Sequence, residues 1–271
     1  MALPDGGYTG CMDEAFSIGA SVLPLVTTAI HAGHELRPDL AARTALNGST
    51  RRREEDPFTD RLTAAGGVPI VVHRSRFEVD LNRARHEAVY TTPDTCWGLD
   101  VWREPLTDEQ VERSLALHDE FYGALTRELD HLAMRGPFVV LDMHSYNHRR
   151  DGQHAPPSPV VDNPEVNIGT GWLDRDRWGH VVDRFAEDLR RRVVADHHLD
   201  VRENVRFRGG YLTEWVQERY DGVGCGLAIE LKKVFMDEWT GVADEDHLRQ
   251  LTRAFADTVP ILLGELACGP A

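Results

Sequence analysis

Two apolar segments of this 271-residue chain end in side chains that bind divalent cations. The segment "LPLVTTAIHAGHE" ends in His31, His34 and Glu35, and "FVVLDMHSYNHRR" contains His144. An apolar run that ends in polar side chains is typical of a central strand that delivers functional groups at its carboxyl end. Imidazole and carboxylate are ligands for catalytic zinc, which usually keeps three protein ligands and one open position. We therefore predict that His31 and His144 share one Zn²⁺, with either His34 or Glu35 as the third ligand.

Two acidic residues interrupt apolar strands in the same sequence. Asp142 precedes His144 by two residues, so it shares a strand face with that imidazole and can fix its tautomer. Glu230, in "GLAIELKKVFMDEWTG", is costly inside an apolar strand unless it is paired or functional. An ion pair with Lys232 or Lys233 is the structural interpretation, and a general base that takes a proton from water is the catalytic one.

The segment "HRSRFEVDLNR" concentrates groups that bind anions. Guanidinium groups bind carboxylates bidentately and stabilise oxyanions, which makes Arg76, Asn82 and Arg83 candidate substrate contacts. A solvated, arginine-rich edge is the alternative interpretation of this segment.

Strands and helices alternate along the chain, which predicts an α/β layered fold. We predict three long helices from apolar positions that recur every three or four residues, the first capped by Thr107, the second by Asp174 and the third built on Leu248 to Leu262. The predicted strands cover residues 24–30, 69–73, 77–81, 138–143, 165–169, 201–207 and 227–231. Such folds bind ligands beyond the carboxyl ends of the strands, where the polar clusters lie.

Composition excludes several classes of protein. A formal net charge of −15 argues against nucleic acid as a partner, and no apolar segment is long enough to span a bilayer. The N-terminal segment lacks the basic and apolar regions of a secretion signal, and the four cysteines form no CxxC pair. We expect one cytoplasmic metallohydrolase domain over residues 1–271 that acts on a small molecule; the sequence carries no signal for an oligomeric state.

Taken in order, seven segments resemble the N-formylglutamate amidohydrolase (N-formylglutamate deformylase) family: "VTTAIHAGHELRPDL", "DPFTDRL", "SRFEVDLNR", "VVLDMHSYNHR", "NIGTG", "RGGYLTEWV" and "AIELKKVFMDE". The resemblance runs from about residue 23 to about residue 238. Because that family is similar to the zinc carboxypeptidases and aspartoacylase, the resemblance implies a three-layer fold with a mixed central sheet flanked by helices. It also implies a zinc hydrolase of histidine degradation, which cleaves N-formyl-L-glutamate to formate and glutamate.

The resemblance also implies a role for each candidate residue. It makes His31 and His144 the histidine ligands and places the carboxylate ligand on Glu35. It makes Glu230 the base and proton shuttle. Asn82 and Arg83 would bind the substrate carboxylate, and Arg76 would polarise the scissile carbonyl.

The chain departs from the family pattern at two places. The wider group separates its first histidine and glutamate by two residues, and His34 occupies that position here. The segment "YNHRRDG" is more basic than usual, so His148, Arg149 and Arg150 belong to a loop suited to a different acyl amino acid. The alternatives are therefore a zinc carboxypeptidase or another N-acyl amino acid hydrolase and, from another class, a binding protein of the same fold without catalysis.

Overall fold

The computed structural model describes residues 14–268, which form a central sheet between two layers of helices. The strands are β1 (Phe16–Ile18), β2 (Leu25–Ala29), β3 (Val68–Val72), β4 (Phe138–Tyr146), β5 (Val166–Gly169), β6 (Val193–Val194), β7 (His197–His198), β8 (Val201–Glu203) and β9 (Gly224–Lys232). The α-helices are α1 (Pro38–Ala41), α2 (Gly48–Glu54), α3 (Thr59–Leu62), α4 (Asp108–Ala133), α5 (Arg175–Arg190), α6 (Tyr211–Arg219) and α7 (Glu245–Cys268).

Seven of these strands form one mixed sheet in the order β1-β3-β2-β4-β9-β5-β8, and β6 and β7 form a separate ribbon. Strands β3, β2, β4 and β9 are parallel, β1 is antiparallel to β3, and β5 is antiparallel to β9. The predicted three-layer α/β fold with a mixed sheet is therefore confirmed. The carboxyl ends of β2, β4 and β9 meet at one edge of the sheet, where the site lies.

Strand β4 is buried along its whole length, as expected for a central strand covered on both faces. One face packs against α5 and α7, with Phe185 and Phe255 in that core. The other face packs against α4 and α6, with Phe121 and Leu212 in that core. Because successive side chains alternate between faces, the odd positions of β4 face α5 and α7 and the even positions, which include His144, face α4 and α6.

The two predicted helix caps are confirmed. The Thr107 side chain accepts a hydrogen bond from the backbone N–H of Gln110 and the Gln110 side chain returns one, a capping box at the start of α4. Asp174 accepts hydrogen bonds from two backbone N–H groups at the start of α5. No helix in residues 14–268 has the length and apolar character needed to cross a membrane.

One predicted strand is not formed, and another is shorter than predicted. Residues 77–81 form turns and irregular backbone: the N–H of Glu78 donates to the carbonyl of Ser75 and that of Asp80 to the carbonyl of Ala88, in place of ladder bonds to a strand. The strand predicted for residues 201–207 ends at Glu203, since Asn204 adopts a positive φ of 53° and its side chain accepts the N–H of Thr170. Cys96, Cys225 and Cys268 are free cysteines, and Cys11 lies outside the described residues.

Candidate active site

Three buried side chains from separate segments meet at the edge of the sheet. His31 follows β2, Asp56 lies in the loop between α2 and α3, and His144 is near the end of β4. Their nearest ligand atoms all lie within 4.8 Å of one another. The Asp56 Oδ2 atom is 3.0 Å from His144 Nδ1 and 3.4 Å from His31 Nδ1. Two imidazoles and one carboxylate thus converge on one point, and the predicted pair of histidines is brought together.

Each imidazole has a second carboxylate behind it. His31 Nε2 lies 2.7 Å from Asp80 Oδ1, and His144 Nε2 lies 2.8 Å from Asp142 Oδ2. These contacts fix the orientation of both rings, with the Nδ1 atoms turned toward Asp56. Metal-binding histidines are commonly held in this way, with the other ring nitrogen donating to a carboxylate.

The electrostatics of the group depend on its burial. Burial alone would raise the pKa of the Asp56 carboxyl, but the hydrogen bond from His144 and the nearby imidazole of His31 outweigh it and hold that pKa well below its usual range. Burial would likewise lower the pKa of His144, but the charge and hydrogen bond of Asp142 raise it well above the ordinary value. Asp142 is in turn held by the Thr28 hydroxyl at 2.5 Å.

The donor set fits a divalent metal. The Nδ1 atom of His31 is buried and makes no hydrogen bond within residues 14–268. A buried polar atom without a partner is costly, and a cation between it, His144 and Asp56 would remove that cost. Two histidines and one carboxylate also form a recurrent ligand set of catalytic zinc. This group can therefore hold a metal ion.

Glu230 lies beside this group. It is the residue of β9 in register with His144 of β4, so the two side chains project from the same face of the sheet. Burial raises the pKa of Glu230 to about 7; the charge of His144 opposes this shift, and those of Asp56 and Asp142 add to it. A carboxylate with a pKa near neutrality, next to a metal site, is suited to accept and return a proton.

The ion pair that would make Glu230 structural is not formed in the described residues. The Lys232 ammonium donates to the backbone carbonyl of Asn163. The Lys233 ammonium donates at 2.7 Å to the carbonyls of both Arg53 and Glu55, which lie shortly before Asp56 in the chain. Glu230 is therefore left without a cationic partner, while Lys233 fixes the loop that carries Asp56.

The group opens into a cavity of about 530 Å³. Glu230 lines it, and so do six cationic residues: Arg53, Arg76, Arg150, Arg206, Arg208 and Lys233. Since the chain as a whole carries a net charge of −15, this concentration of cations indicates an anionic ligand.

Arg76 and Asn82 both line the cavity, as their predicted roles require. The Arg76 guanidinium donates to Asp80 Oδ2 at 2.8 Å and lies 4.8 Å from the centre of the Trp97 ring. The Asn82 amide nitrogen is 3.4 Å from His144 Nε2, and its oxygen accepts the backbone N–H of Leu212. Asn82 is thus held directly against the candidate metal group.

Glu35 and His34 are not brought to the histidine pair. The Glu35 backbone bridges to Arg74, which turns its side chain outward, 63% exposed and 3.9 Å from the Arg74 guanidinium. His34 Nδ1 instead contacts Glu55 Oε2 at 2.5 Å. The position expected for Glu35 beside His31 and His144 is taken by Asp56.

Arg83 also lies apart from the cavity lining. Its Nε atom is 3.6 Å from Asp80 Oδ2, and its guanidinium lies 4.9 Å from the centre of the Tyr90 ring. Tyr90 and Arg83 thus hold Asp80, which in turn contacts His31. Arg83 thus contacts the carboxylate behind the metal group, and its expected grip on a substrate carboxylate stays a prediction.

Comparisons with known proteins identify a family and similar folds. The model of a protein family described as N-formylglutamate amidohydrolase matches residues 23–236. A crystal structure of an N-formylglutamate amidohydrolase from Ralstonia eutropha JMP134 is similar with a TM-score of 0.73 and 18% identity, covering 94% of this chain and 98% of that one. A gene product of Agrobacterium tumefaciens is similar with a TM-score of 0.62 and 16% identity, covering 94% and 95%. At these identities the two structures support the fold, and no curated protein matches the chain.

Proposed function

Because the chain belongs to the N-formylglutamate amidohydrolase family, and so is a hydrolase of carbon–nitrogen bonds other than peptide bonds, we propose that it cleaves N-formyl-L-glutamate to formate and L-glutamate. The observation that carries this proposal is the buried group of His31, Asp56 and His144 at the base of a cationic cavity, with unpaired Glu230 beside it.

The proposed metal is Zn²⁺, held by His31, Asp56 and His144, with Asp56 in the role predicted for Glu35. When bound there, zinc supplies Lewis acidity toward the formyl carbonyl and lowers the pKa of water. Asp80 and Asp142 hold the two imidazoles in the tautomer that leaves Nδ1 free to bind the cation.

Glu230 is the proposed base and proton shuttle. Its carboxylate takes the proton of the attacking water and delivers it to the amine nitrogen as the carbon–nitrogen bond breaks. Its pKa of about 7 allows both steps at neutral pH. Because Glu230 has no ion pair in residues 14–268, no existing contact must break before it acts.

Arg76 and Asn82 are the proposed contacts that orient the substrate. One Arg76 nitrogen is bound to Asp80, and the side chain still lines the cavity, where it can donate to the developing oxyanion. One such donor is worth about 3 kcal/mol in the transition state. The Asn82 amide, against His144, is placed for the α-carboxylate, which is attached to the carbon next to the scissile nitrogen. We assign Arg83 the orientation of Asp80.

A formate-release assay with the purified, zinc-loaded protein tests the proposal. N-formyl-L-glutamate should be cleaved, and a chelator should abolish the activity until zinc is restored. Cleavage of N-acetyl-L-glutamate or of peptides ending in glutamate, without release of formate from the formyl compound, would favour an N-acyl amino acid hydrolase of other specificity or a carboxypeptidase. A protein that binds zinc and cleaves none of these compounds would contradict the proposal.

The proposed setting is the cytoplasm, in histidine degradation. Family membership supports the pathway, and the buried free thiols Cys96 and Cys225 suit a reducing compartment.

A further inference from the structure

The cations of the cavity are not equivalent. Arg53 is paired with Glu54 at 2.8 Å, and Arg76 is paired with Asp80 at the same distance. Arg150 and Arg206 also line the cavity, and neither forms an ion pair with a carboxylate anywhere in residues 14–268. Arg208, which also lines the cavity, likewise forms no ion pair in residues 14–268. In a chain with 45 acidic and 30 basic residues, such guanidinium groups need a structural reason or a ligand, and Arg150 and Arg206 are the two that act on each other.

Arg150 and Arg206 lie close enough to affect each other. Burial lowers the pKa of Arg150, and the positive charge of Arg206 lowers it further. The Nε atom of Arg206 is buried without a hydrogen-bond partner, and the Nε atom of Arg150 reaches only a backbone carbonyl, that of Asn147, at 3.4 Å. An anion between the two guanidinium groups would relieve their repulsion and satisfy their donors.

Neither guanidinium of the pair forms a hydrogen bond or an ion pair with the candidate metal group in residues 14–268. The Arg206 guanidinium lies 5.6 Å from the centre of the Tyr146 ring, and Arg150 belongs to the loop that follows β4. Tyr146 lies two residues beyond His144, which is about 7 Å along an extended strand. Asn82, in contrast, contacts His144 itself. The cavity therefore has a near polar contact at Asn82 and a far cationic pair beyond Tyr146.

We infer that Arg150 and Arg206 bind the side-chain carboxylate of the substrate and so select N-acyl amino acids with an acidic side chain. This inference rests on the proposed function. In an N-acyl amino acid the α-carboxylate must stay near the scissile bond, at Asn82, whereas the side-chain carboxylate of glutamate is separated from the α-carbon by two methylene groups. The far pair is thus placed for the second carboxylate.

Three substrates distinguish the contributions of the two substrate carboxylates. They are N-formyl-L-glutamate, N-formyl-L-glutamine, which lacks the side-chain charge, and N-formyl-L-isoglutamine, which lacks the α-carboxylate charge. The variants are Arg150→Gln and Arg206→Gln. Arg149→Gln is the matched control, because Arg149 is an exposed neighbour outside the lining of this cavity and donates to the carbonyl of Gln153.

The measured quantity is the ratio of kcat/KM between substrates. Loss of one hydrogen bond to a charged group should reduce the preference for the glutamate over the glutamine compound by about 10- to 100-fold in Arg150→Gln and Arg206→Gln. Arg149→Gln should leave this preference unchanged, and all three variants should keep the preference over the isoglutamine compound. The inference would be overturned if Arg150→Gln and Arg206→Gln lost kcat/KM equally on all three substrates. It would also be overturned if they lost the preference for the glutamate over the isoglutamine compound and kept the preference over the glutamine compound.

Calorimetric binding of L-glutamate and L-glutamine to the same proteins tests the pair without turnover. Wild-type protein should bind L-glutamate more tightly, and Arg150→Gln and Arg206→Gln should lose that advantage. If the wild type binds L-glutamate more tightly than L-glutamine but releases no formate from any formyl compound, the proposed function fails and the inference on the pair stands. If the wild type binds both amino acids equally, the inference fails even where formate is released.

Discussion

Replacement of Glu230 by glutamine should increase the stability of the metal-free protein while it removes activity. Glu230 is a carboxylate in an otherwise apolar strand, and burial raises its pKa from an ordinary value of 4.5 to about 7. The folded state thus favours the protonated form of Glu230. Glutamine keeps the shape of that form and removes the ionisation.

The pKa shift sets the size and sign of the effect. Because the folded-state pKa is the higher one, the stability that Glu230 contributes is complete below about pH 4.5 and is lost as the pH rises through about 7. The shift corresponds to about 3 kcal/mol. The gain in unfolding free energy of Glu230→Gln over wild type should therefore grow from about 1 kcal/mol at pH 5 to about 3 kcal/mol at pH 8.

Urea unfolding of the chelator-treated proteins at several pH values between 5 and 8 measures this difference. Formate release by the zinc-loaded proteins is measured in parallel, where loss of a general base should lower kcat by about 10²- to 10⁴-fold with zinc still bound. Glu54→Gln is the matched control, since Glu54 lines the same cavity but is paired with Arg53 and should bring no gain in stability.

Two results would refute this reasoning. A stability difference between Glu230→Gln and wild type that stays constant from pH 5 to pH 8 would show that burial does not raise the pKa of Glu230. Full activity of Glu230→Gln with normal zinc content would remove its role as base.

Three further predictions concern the surroundings of Glu230. Asp56→Asn should lose nearly all bound zinc in elemental analysis, whereas Glu35→Gln should keep it; the reverse result would restore Glu35 as the ligand. Lys233→Met leaves two buried carbonyls without their donor, so urea unfolding should show a loss of about 3 kcal/mol, and competition with a chromogenic chelator should show weaker zinc binding. Burial lowers the pKa of His148 to about 4. The free energy of unfolding should therefore fall by up to about 3 kcal/mol as the pH falls from about 6.5 to about 4, and His148→Gln should remove this dependence on pH.

The elements that the sequence predicted well are those whose local pattern agrees with the tertiary fold. Residues 138–143 form a strand because the apolar run suits a position covered on both faces, and the Thr107 cap works through contacts within one turn. Residues 77–81 alternate in the same way as a strand, and Phe77, Val79 and Leu81 are indeed buried. The backbone N–H of Asp80, however, donates to the carbonyl of Ala88 and not to a neighbouring strand, and the Glu78 carboxylate accepts the backbone N–H of the distant Arg37. No local pattern indicates either bond.

The sequence predicted the site residues that lie at the ends of strands. His31 and His144 stand directly at the ends of apolar runs, and that signal brought them together correctly. Asp56 lies in a loop after a short helix, in the segment "DPFTDRL", where a carboxylate before proline is indistinguishable from a turn residue. Only the fold shows that this loop crosses the ends of β2 and β4, and this is why Glu35, the carboxylate nearer in sequence, was preferred.

The different partners of Glu230 and Lys233 explain why the buried Glu230 carboxylate stays free to act as a base. Had the ammonium of Lys233 paired with Glu230, the attraction would have lowered the pKa of the carboxyl and occupied its oxygens. The ammonium instead donates to the carbonyls of Arg53 and Glu55 and to the Asn147 side chain. One lysine thereby fixes the Asp56 loop and leaves the neighbouring glutamate unpaired. The Lys233→Met and Glu230→Gln variants should consequently change stability in opposite directions, the first downward and the second upward, although the two residues lie three positions apart.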